Sequence, residues 1–489
     1  MAGVRIIGGG LAGSEAAWQA AEQGVPVTLY EMRPGQPTAV HRTDRLAELV
    51  CSNSFRADKL DNAVGLLKEE MRRLGSLVMR AADANRVPAG AALAVDRERF
   101  ADAMTQALER HPLVRIVREE VQTIPPSSER EPVIVATGPL TSEALSAEVA
   151  RLVGQQHLYF FDAISPIVLA ETIDRTRVFR ASRWGRSLVR LKPDTTTAGV
   201  KPDTTTVGAA DRRGVRLQAD LGCGVDDGAG DYLNCPLTRE EYERFYDALV
   251  HAESATVHDL DRERFFEGCL PIEVMAHRGE GTLRFGPMKP VGLPDPRTGR
   301  LPYAVVQLRQ DNLAGDHFSL VGFQTQLKWA EQARVLRLIP GLEQAEFVRF
   351  GMVHRNTYVN GPAVLRETWQ VRSSPSLFFA GQMSGVEGYV ESAAAGLLAG
   401  LNAARLTRGE RLSTPPRTTA IGALAHYVSH ADPAHYEPSN ITFGIMQAPP
   451  SPPRDKLAKR LAMSARALAD LQAWIDARST QAVSAVSEA

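Results

Sequence analysis

A glycine-spaced turn near the start of the chain limits what its first part can fold into more than any other feature. Val4 to Ile7 is a short apolar run that ends in Gly8-Gly9-Gly10-Leu11-Ala12-Gly13, and Ser14 to Gln23 continues as an alanine-rich helix. Val25 to Tyr30 then reads as a second buried strand and closes on Glu31, eighteen residues past the last glycine of the turn. Strand, turn, helix and strand in that order make a βαβ unit. Gly8 permits the tight turn, Gly10 lets backbone approach a pyrophosphate, and Gly13 packs the helix on the strand. The helix start, with Gly9, Leu11 and Ala12 around it, offers N–H groups and a positive dipole end to the phosphates. Glu31 is placed to accept hydrogen bonds from ribose hydroxyls, and its charge disfavours a 2′-phosphate. An adenine dinucleotide without that phosphate is the expected ligand.

The motif alone does not choose between FAD and NAD. A late glycine turn does favour FAD: Leu377 to Ala380 reads as a strand entering Gly381-Gln382-Met383-Ser384-Gly385, and Tyr389 to Arg408 is an Ala/Gly/Leu helix that closes over the cofactor. Helical spacing marks about Asn62 to Leu77 and Arg97 to Arg110, and Glu131 to Gly138 reads as another strand with a Thr-Gly turn. Between these ends the character changes to β-rich segments punctuated by Pro and Gly. The expected fold is α/β: a discontinuous Rossmann-like FAD-binding domain (1–110 and 325–445) with an inserted α+β substrate domain (111–324). Within the insert, a tandem nonapeptide starts at Lys192-Pro193-Asp194-Thr195-Thr196-Thr197 and repeats from Lys201. Its composition buries little, so 190–229 reads as a disordered, dispensable loop. Residues 446–489 form a basic tail with Arg454, Lys456, Lys459, Arg460 and Arg466, either a solvated helix face or an RNA contact.

At 489 residues the chain is long enough for more than one core. No export signal precedes the first strand, and the most apolar stretch, around Glu391 to Leu406, is too polar to span a bilayer. A soluble cytoplasmic protein, with no membrane association, is expected. Cys51, Cys223, Cys235 and Cys269 are the only cysteines, too few for a disulfide scaffold. No clustered Cys/His spacing and no Walker motif is present, so no metal is expected. A net charge of −1 argues against blanket adhesion to nucleic acid but leaves local patches open.

Longer segments are more specific. Glu31-Met32-Arg33-Pro34, Ala47 to Arg56 (AELVCSNSFR), Asp231 to Leu237 (DYLNCPL) and Phe266 to Glu273 (FEGCLPIE) resemble the folate/FAD-dependent tRNA uracil-5-methyltransferases, the TrmFO family related to GidA. So do Phe285 to Leu293 (FGPMKPVGL), Gln307 to Asn312, Leu320 to Lys328, Arg349 to Asn356 and Gly381 to Gly396, in the same order. The likeness covers nearly the whole chain outside the repeat and the tail. It departs where Ser182-Arg183-Trp184-Gly185 is separated from Asp231 by about 45 residues, which that family usually lacks.

The resemblance implies that the methylene group of methylenetetrahydrofolate passes through FAD to carbon 5 of the T-loop uridine (position 54) of tRNA, with NADH or NADPH as reductant. It also implies two working cysteines, which by motif fall on Cys51 and Cys235. Carbon 5 of uracil is not nucleophilic until a thiolate adds at carbon 6, and a base must then remove the carbon 5 proton. Cys235 is expected as the nucleophile and Cys51 as the proton acceptor, the reverse remaining open. Cys223 reads as a bystander and Cys269 as a core residue. Arg42, Arg56, Lys59, Arg72 and Arg73 are candidates for RNA phosphates, and Tyr358 or Tyr389 for stacking on a flipped base. The sequence points to no protein partner. Two other readings carry the same glycine motifs: an NAD(P)H-dependent FAD oxidoreductase acting on a small molecule, and a GidA-type flavoprotein that modifies the wobble uridine.

Overall fold

The computed structural model describes residues 2–38, 40–154, 158–185, 230–255 and 270–487. The repeat loop, Cys223 and Cys269 lie outside them. A six-stranded sheet forms the first layer, in the order Gln370–Val371, Ser374–Phe379, Val133–Val135, Val4–Ile7, Val27–Tyr30, Val114–Val117. Its neighbours run parallel except the outermost pair, Gln370–Val371 with Ser374–Phe379. Central parallel strands read as continuous apolar runs because helices cover them; Val133, Ile134 and Val135 are all fully buried.

Small residues set how closely the covering helices approach. The Leu11–Glu22 and Tyr389–Thr407 helices lie against each other. A Cβ on Gly396 would sit 2.1 Å from Ala12 O, and one on Gly400 would sit 2.4 Å from Ala16 O. Only glycine lets the two backbones touch there. Gly13 is tighter still: a Cβ on it would lie 1.8 Å from Gly8 O. The glycine turn, the first helix and the late helix are therefore one packed unit built from both ends of the chain.

The second layer is an antiparallel six-stranded sheet, in the order Phe179–Ala181, Tyr232–Leu237, Ala304–Gln310, His317–Leu320, Ile167–Leu169, Phe347–Arg349. Side chains alternate across it. Leu233, Cys235 and Leu237 enter a core together with Ala304, Val306 and Leu308. Tyr232 and Asn234 on one strand, and Gln307 and Arg309 on the next, occupy the opposite parity. The architecture is the α/β, discontinuous Rossmann-like arrangement expected, with this sheet inserted.

Val114–Val117 and Val133–Val135 belong to the first sheet, past residue 110, and Phe347–Arg349 belongs to the second, past residue 324. Val114–Val117 is a partly exposed edge strand and Phe347–Arg349 has three residues, so neither carries a strong apolar signal. The basic tail is a helix, Lys456–Ser487, and it is docked: Met463, Ala467 and Leu468 join the main core, and Arg73 donates to Leu468 O at 3.3 Å.

Glu70 fastens another helix to this layer. It is fully buried and accepts hydrogen bonds from the amides of Ala420 (2.7 Å) and Ile421 (2.9 Å), the first turn of Ala420–His430. Burial raises its pKa to about 8, with the two amides opposing. A carboxyl whose folded pKa lies above its unfolded one binds extra protons when folded. Its contribution is full below pH about 4.3, the unfolded value, and is lost as pH rises through about 8. Denaturant unfolding at a series of pH values should show stability falling between pH about 5 and 8, and Glu70→Gln should flatten that fall.

Candidate active site

Between the glycine turn and the second sheet lies a cavity of about 490 Å³. Its first end is built by the turn. Gly8, Gly9, Gly10, Leu11 and Ala12 line it, with Glu31 at the end of the second strand. No side chain caps the Leu11–Glu22 helix, so its first N–H groups are left for a ligand. A Cβ on Gly10 would meet nothing within 4 Å, whereas one on Gly9 would lie 2.5 Å from Leu46 Cδ2. Gly10 thus faces the open space that a pyrophosphate would take.

Glu31 is held before any ligand arrives. Oε2 accepts from Gly9 N (3.0 Å), and Oε1 accepts from Arg33 N (3.0 Å) and Arg33 Nε (2.8 Å). Burial pushes its pKa up, but Arg33 and the Gly9 amide more than reverse this, leaving it below the ordinary value. It stays ionised, and Oε2 keeps a lone pair for a ribose hydroxyl. His41 shares a 2.7 Å hydrogen bond with Thr38 Oγ1 through Nδ1. Burial, with Arg33 and Arg349 nearby, lowers its pKa to about 4, so the imidazole lining the cavity is neutral.

At the other end stands Cys51. The Tyr389 hydroxyl oxygen accepts from Cys51 N (2.8 Å) and Ser52 N (3.1 Å), and Cys51, Ser52 and Tyr389 all line the cavity. Burial raises the Tyr389 pKa well above that of a free phenol, so it stays protonated. Arg56 lines the cavity in a left-handed backbone conformation, φ 62°, with its guanidinium on Glu391. Lys68 supports that conformation: its buried Nζ donates to Phe55 O (2.9 Å), Arg56 O (3.1 Å) and Ala57 O (2.6 Å). Burial lowers the Lys68 pKa to about 7.

Several expected site residues fall elsewhere. Cys235 is fully buried on the face of the second sheet turned to the core, beside Leu233 and Leu237, and is not part of the cavity wall. Burial raises its pKa far above that of a free thiol. A thiolate there would be formed against that burial. Gly13 and Gly385 do not line the cavity; a Cβ on Gly385 would lie 2.1 Å from the Tyr436 hydroxyl. Gly381 and Gln382 do line it.

Arg56 is committed to Glu391 and Asn440, Arg72 to Asp58 and Asp83, and Arg73 pairs with Glu69. Arg42 and Lys59 are exposed. Tyr358 is buried against Tyr436, so Tyr389 alone of the two tyrosines reaches the cavity. The sequence reading did not single out His41, Thr137 or Arg309 as site residues, although all three line the cavity. The Thr-Gly turn after Val133–Val135 was the visible signal for Thr137. Away from the cavity, Glu367, His426 and His430 bring ligand atoms within 4.8 Å of one another, the two imidazoles stacked at 4.2 Å and 12° with His426 Nδ1 2.7 Å from Glu367 Oε1.

The turn, the uncapped helix and the ionised Glu31 define an adenine-dinucleotide-binding protein whose cavity runs on to Cys51. Residues 3–197 and 216–411 match the family model described as Glucose inhibited division protein A. Two crystal forms of Aquifex aeolicus GidA have the same fold, with TM-scores of 0.61 and 0.63 over 96% of this chain and 74% and 76% of theirs, at 18% and 17% identity. Curated relatives are far nearer in sequence. The methylenetetrahydrofolate–tRNA-(uracil-5-)-methyltransferase TrmFO of Desulforudis audaxviator is 57% identical over 97% of this chain and 98% of its own. Those of Symbiobacterium thermophilum (56%, covering 96% of each chain) and Streptococcus pyogenes serotype M4 (52%, covering 96% and 97%) are similar. The chain belongs to the TrmFO family.

Gly10 separates cofactor binding from folding. Gly10→Ala should leave the melting temperature of the cofactor-free protein unchanged while raising the Kd for FAD at least about tenfold, or about 1.4 kcal/mol. Fluorescence titration alongside thermal melting reads both.

Proposed function

We propose that this protein methylates carbon 5 of the T-loop uridine (position 54) of tRNA, giving 5-methyluridine. Methylenetetrahydrofolate is the carbon donor, FAD the bound cofactor and NADH or NADPH the electron source. The observation that carries this is full-length identity of 57% to a TrmFO enzyme. Among the described residues no helix is long and apolar enough to cross a membrane. The protein works in the cytoplasm on the T-arm, with exposed Arg42 and Lys59 available to phosphates.

The residues present fit FAD: Glu31 takes the adenosine ribose, the Gly10–Ala12 helix start takes the pyrophosphate, and Gly381 and Gln382 border the remainder. When bound, FAD supplies electrons and carries the one-carbon unit between folate and pyrimidine. The chain's own groups do the rest. A thiolate adds at carbon 6, forming an S–C bond and pushing the ring's electron pair toward carbon 5 and O4. After carbon 5 has bonded to the one-carbon unit, a base removes its proton and the thiolate leaves. Cys51 stands at the cavity to take that proton.

The second thiol is assigned to Cys269. It lies outside the described residues, and what favours it over Cys235 is the burial of Cys235 away from the cavity wall.

The test supplies unmodified tRNA, methylenetetrahydrofolate labelled in its methylene, and NADH, then assays labelled 5-methyluridine. Wild type should label the T-loop. Cys51→Ala and Cys269→Ala should lose at least about 10²-fold in rate. Cys235→Ala and Cys223→Ala should keep it, the former at a stability cost of about 1 kcal/mol. NADH oxidation without RNA label in the wild type would instead mark a small-molecule oxidoreductase. Loss of label in folded Cys235→Ala would return the nucleophile to that position.

A further inference from the structure

Arg309, the second-to-last residue of the Ala304–Gln310 strand, lies on the face opposite Val306 and Leu308 and lines the cavity. Two hydrogen bonds aim it at the reacting end: Nε donates to Asn53 Oδ1 at 2.8 Å and Nη2 to Ser52 Oγ at 2.8 Å. Asn53 is itself fixed, its Nδ2 donating to Val95 O and Gln310 O, each at 3.0 Å. The guanidinium is therefore held in one orientation on Ser52 and Asn53, the two residues that follow Cys51.

Among the described residues no acid pairs with it. The nearby carboxylate Asp311 is held by Arg97 through bonds of 2.9 and 3.2 Å. Among the described residues no carboxylate lies within the 4.0 Å of an ion pair to Arg309. The other two arginines lining the cavity are each paired, Arg33 with Glu31 and Glu48, and Arg56 with Glu391. His41, the histidine of the wall, is neutral. Burial lowers the Arg309 pKa from its ordinary value, Arg97 adding to this and Tyr232, Asp311 and Tyr389 opposing it, while the side chain stays half-buried at the cavity wall. Such a group is costly unless a ligand completes it, and its remaining N–H groups have no acceptor among the described residues.

We propose that Arg309 is the anion-stabilising group of this cavity, binding the oxygen of a heterocyclic lactam (N–C=O) on which negative charge grows during reaction. The identity of the ring rests on the function proposed above, which brings two such rings here. Thiolate addition to carbon 6 of uracil moves the C5=C6 pair toward O4, which stays negative until carbon 5 forms its new bond. Bound FAD, once it had taken a hydride (two electrons with one proton) from NADH or NADPH, would carry negative charge on its pyrimidinedione. Both oxygens present the same chemistry to a guanidinium, and pre-aimed donors at developing charge are among the largest catalytic effects.

The test compares wild type, Arg309→Gln and Arg309→Lys as purified flavoproteins, after flavin content and melting have been matched. One arm is the flavin midpoint potential, measured without RNA. The other is the rate of covalent complex formation with a T-arm RNA carrying 5-fluorouridine at the target position. If the flavin is the partner, the potential becomes more negative in Arg309→Gln, by about 30 mV for each tenfold loss of stabilisation in a two-electron couple, with Lys intermediate. If uracil is the partner, the potential holds and complex formation slows by about 10²-fold in Gln, again with Lys intermediate. Either result supports the proposal. Wild-type values in both arms for Gln overturn it. If only Lys yields holoprotein, wild-type values in both arms for Lys overturn it, because an ammonium does not reproduce the fork. Failure of the wild type itself to methylate tRNA would reject the function while leaving the potential arm intact.

Discussion

Backbone contact between the Leu11–Glu22 and Tyr389–Thr407 helices is the constraint on which the rest of the structure depends. Gly396 and Gly400 meet Ala12 and Ala16 at distances that leave no room for a Cβ, and Gly13 meets Gly8 in the same way. Through these contacts the first and last strands of the parallel sheet are brought into one layer, and Gly381 is set beside the glycine turn across the cavity. Overpacking at such sites costs about 1–3 kcal/mol, a large share of the margin by which proteins are folded. A cofactor bridging the two segments would draw on the same contacts, so binding and folding are coupled here.

Much of this was legible because it rests on local rules. The spacing of Gly8, Gly10 and Gly13 after an apolar strand, and of Glu31 beyond it, fixes a turn, a helix and a ribose-facing acid without knowledge of the remaining chain. What escaped depends on parity and on distant partners. Cys235 lies in a segment typical of the family, yet its side chain points to whichever face the strand register dictates, and it shares that face with Leu233 and Leu237. Arg309 and His41 are ordinary residues in sequence, and only the folded arrangement makes the first an unpaired cation and the second a neutral imidazole. Arg56 had the opposite fate: a plausible surface charge proves to be a cavity residue, committed to Glu391. The edge strands Val114–Val117 and Phe347–Arg349 were missed as sheet members because short, half-exposed strands carry little periodicity.

The cavity is electrostatically divided. At the adenosine end an acid is kept ionised by Arg33 and a backbone amide, suited to hydroxyl donors. At the reacting end the paired arginines leave Arg309 as the net positive group, near Cys51 and a protonated Tyr389. That polarity suits a reaction in which a thiolate and a pyrimidine oxygen carry negative charge in turn, and it separates the binding of the cofactor's carrier portion from the chemistry.

The central claim is that the reacting end of the cavity is at Cys51 and that Cys235 belongs to the core behind the second sheet. Alkylation of the native, cofactor-free protein with iodoacetamide, mapped by mass spectrometry over time, tests it most directly. The account predicts modification of Cys51, slowed by saturating FAD, and no modification of Cys235 until denaturant unfolds the protein. Alkylation of Cys235 in the folded protein at a rate matching that of Cys51 would contradict it.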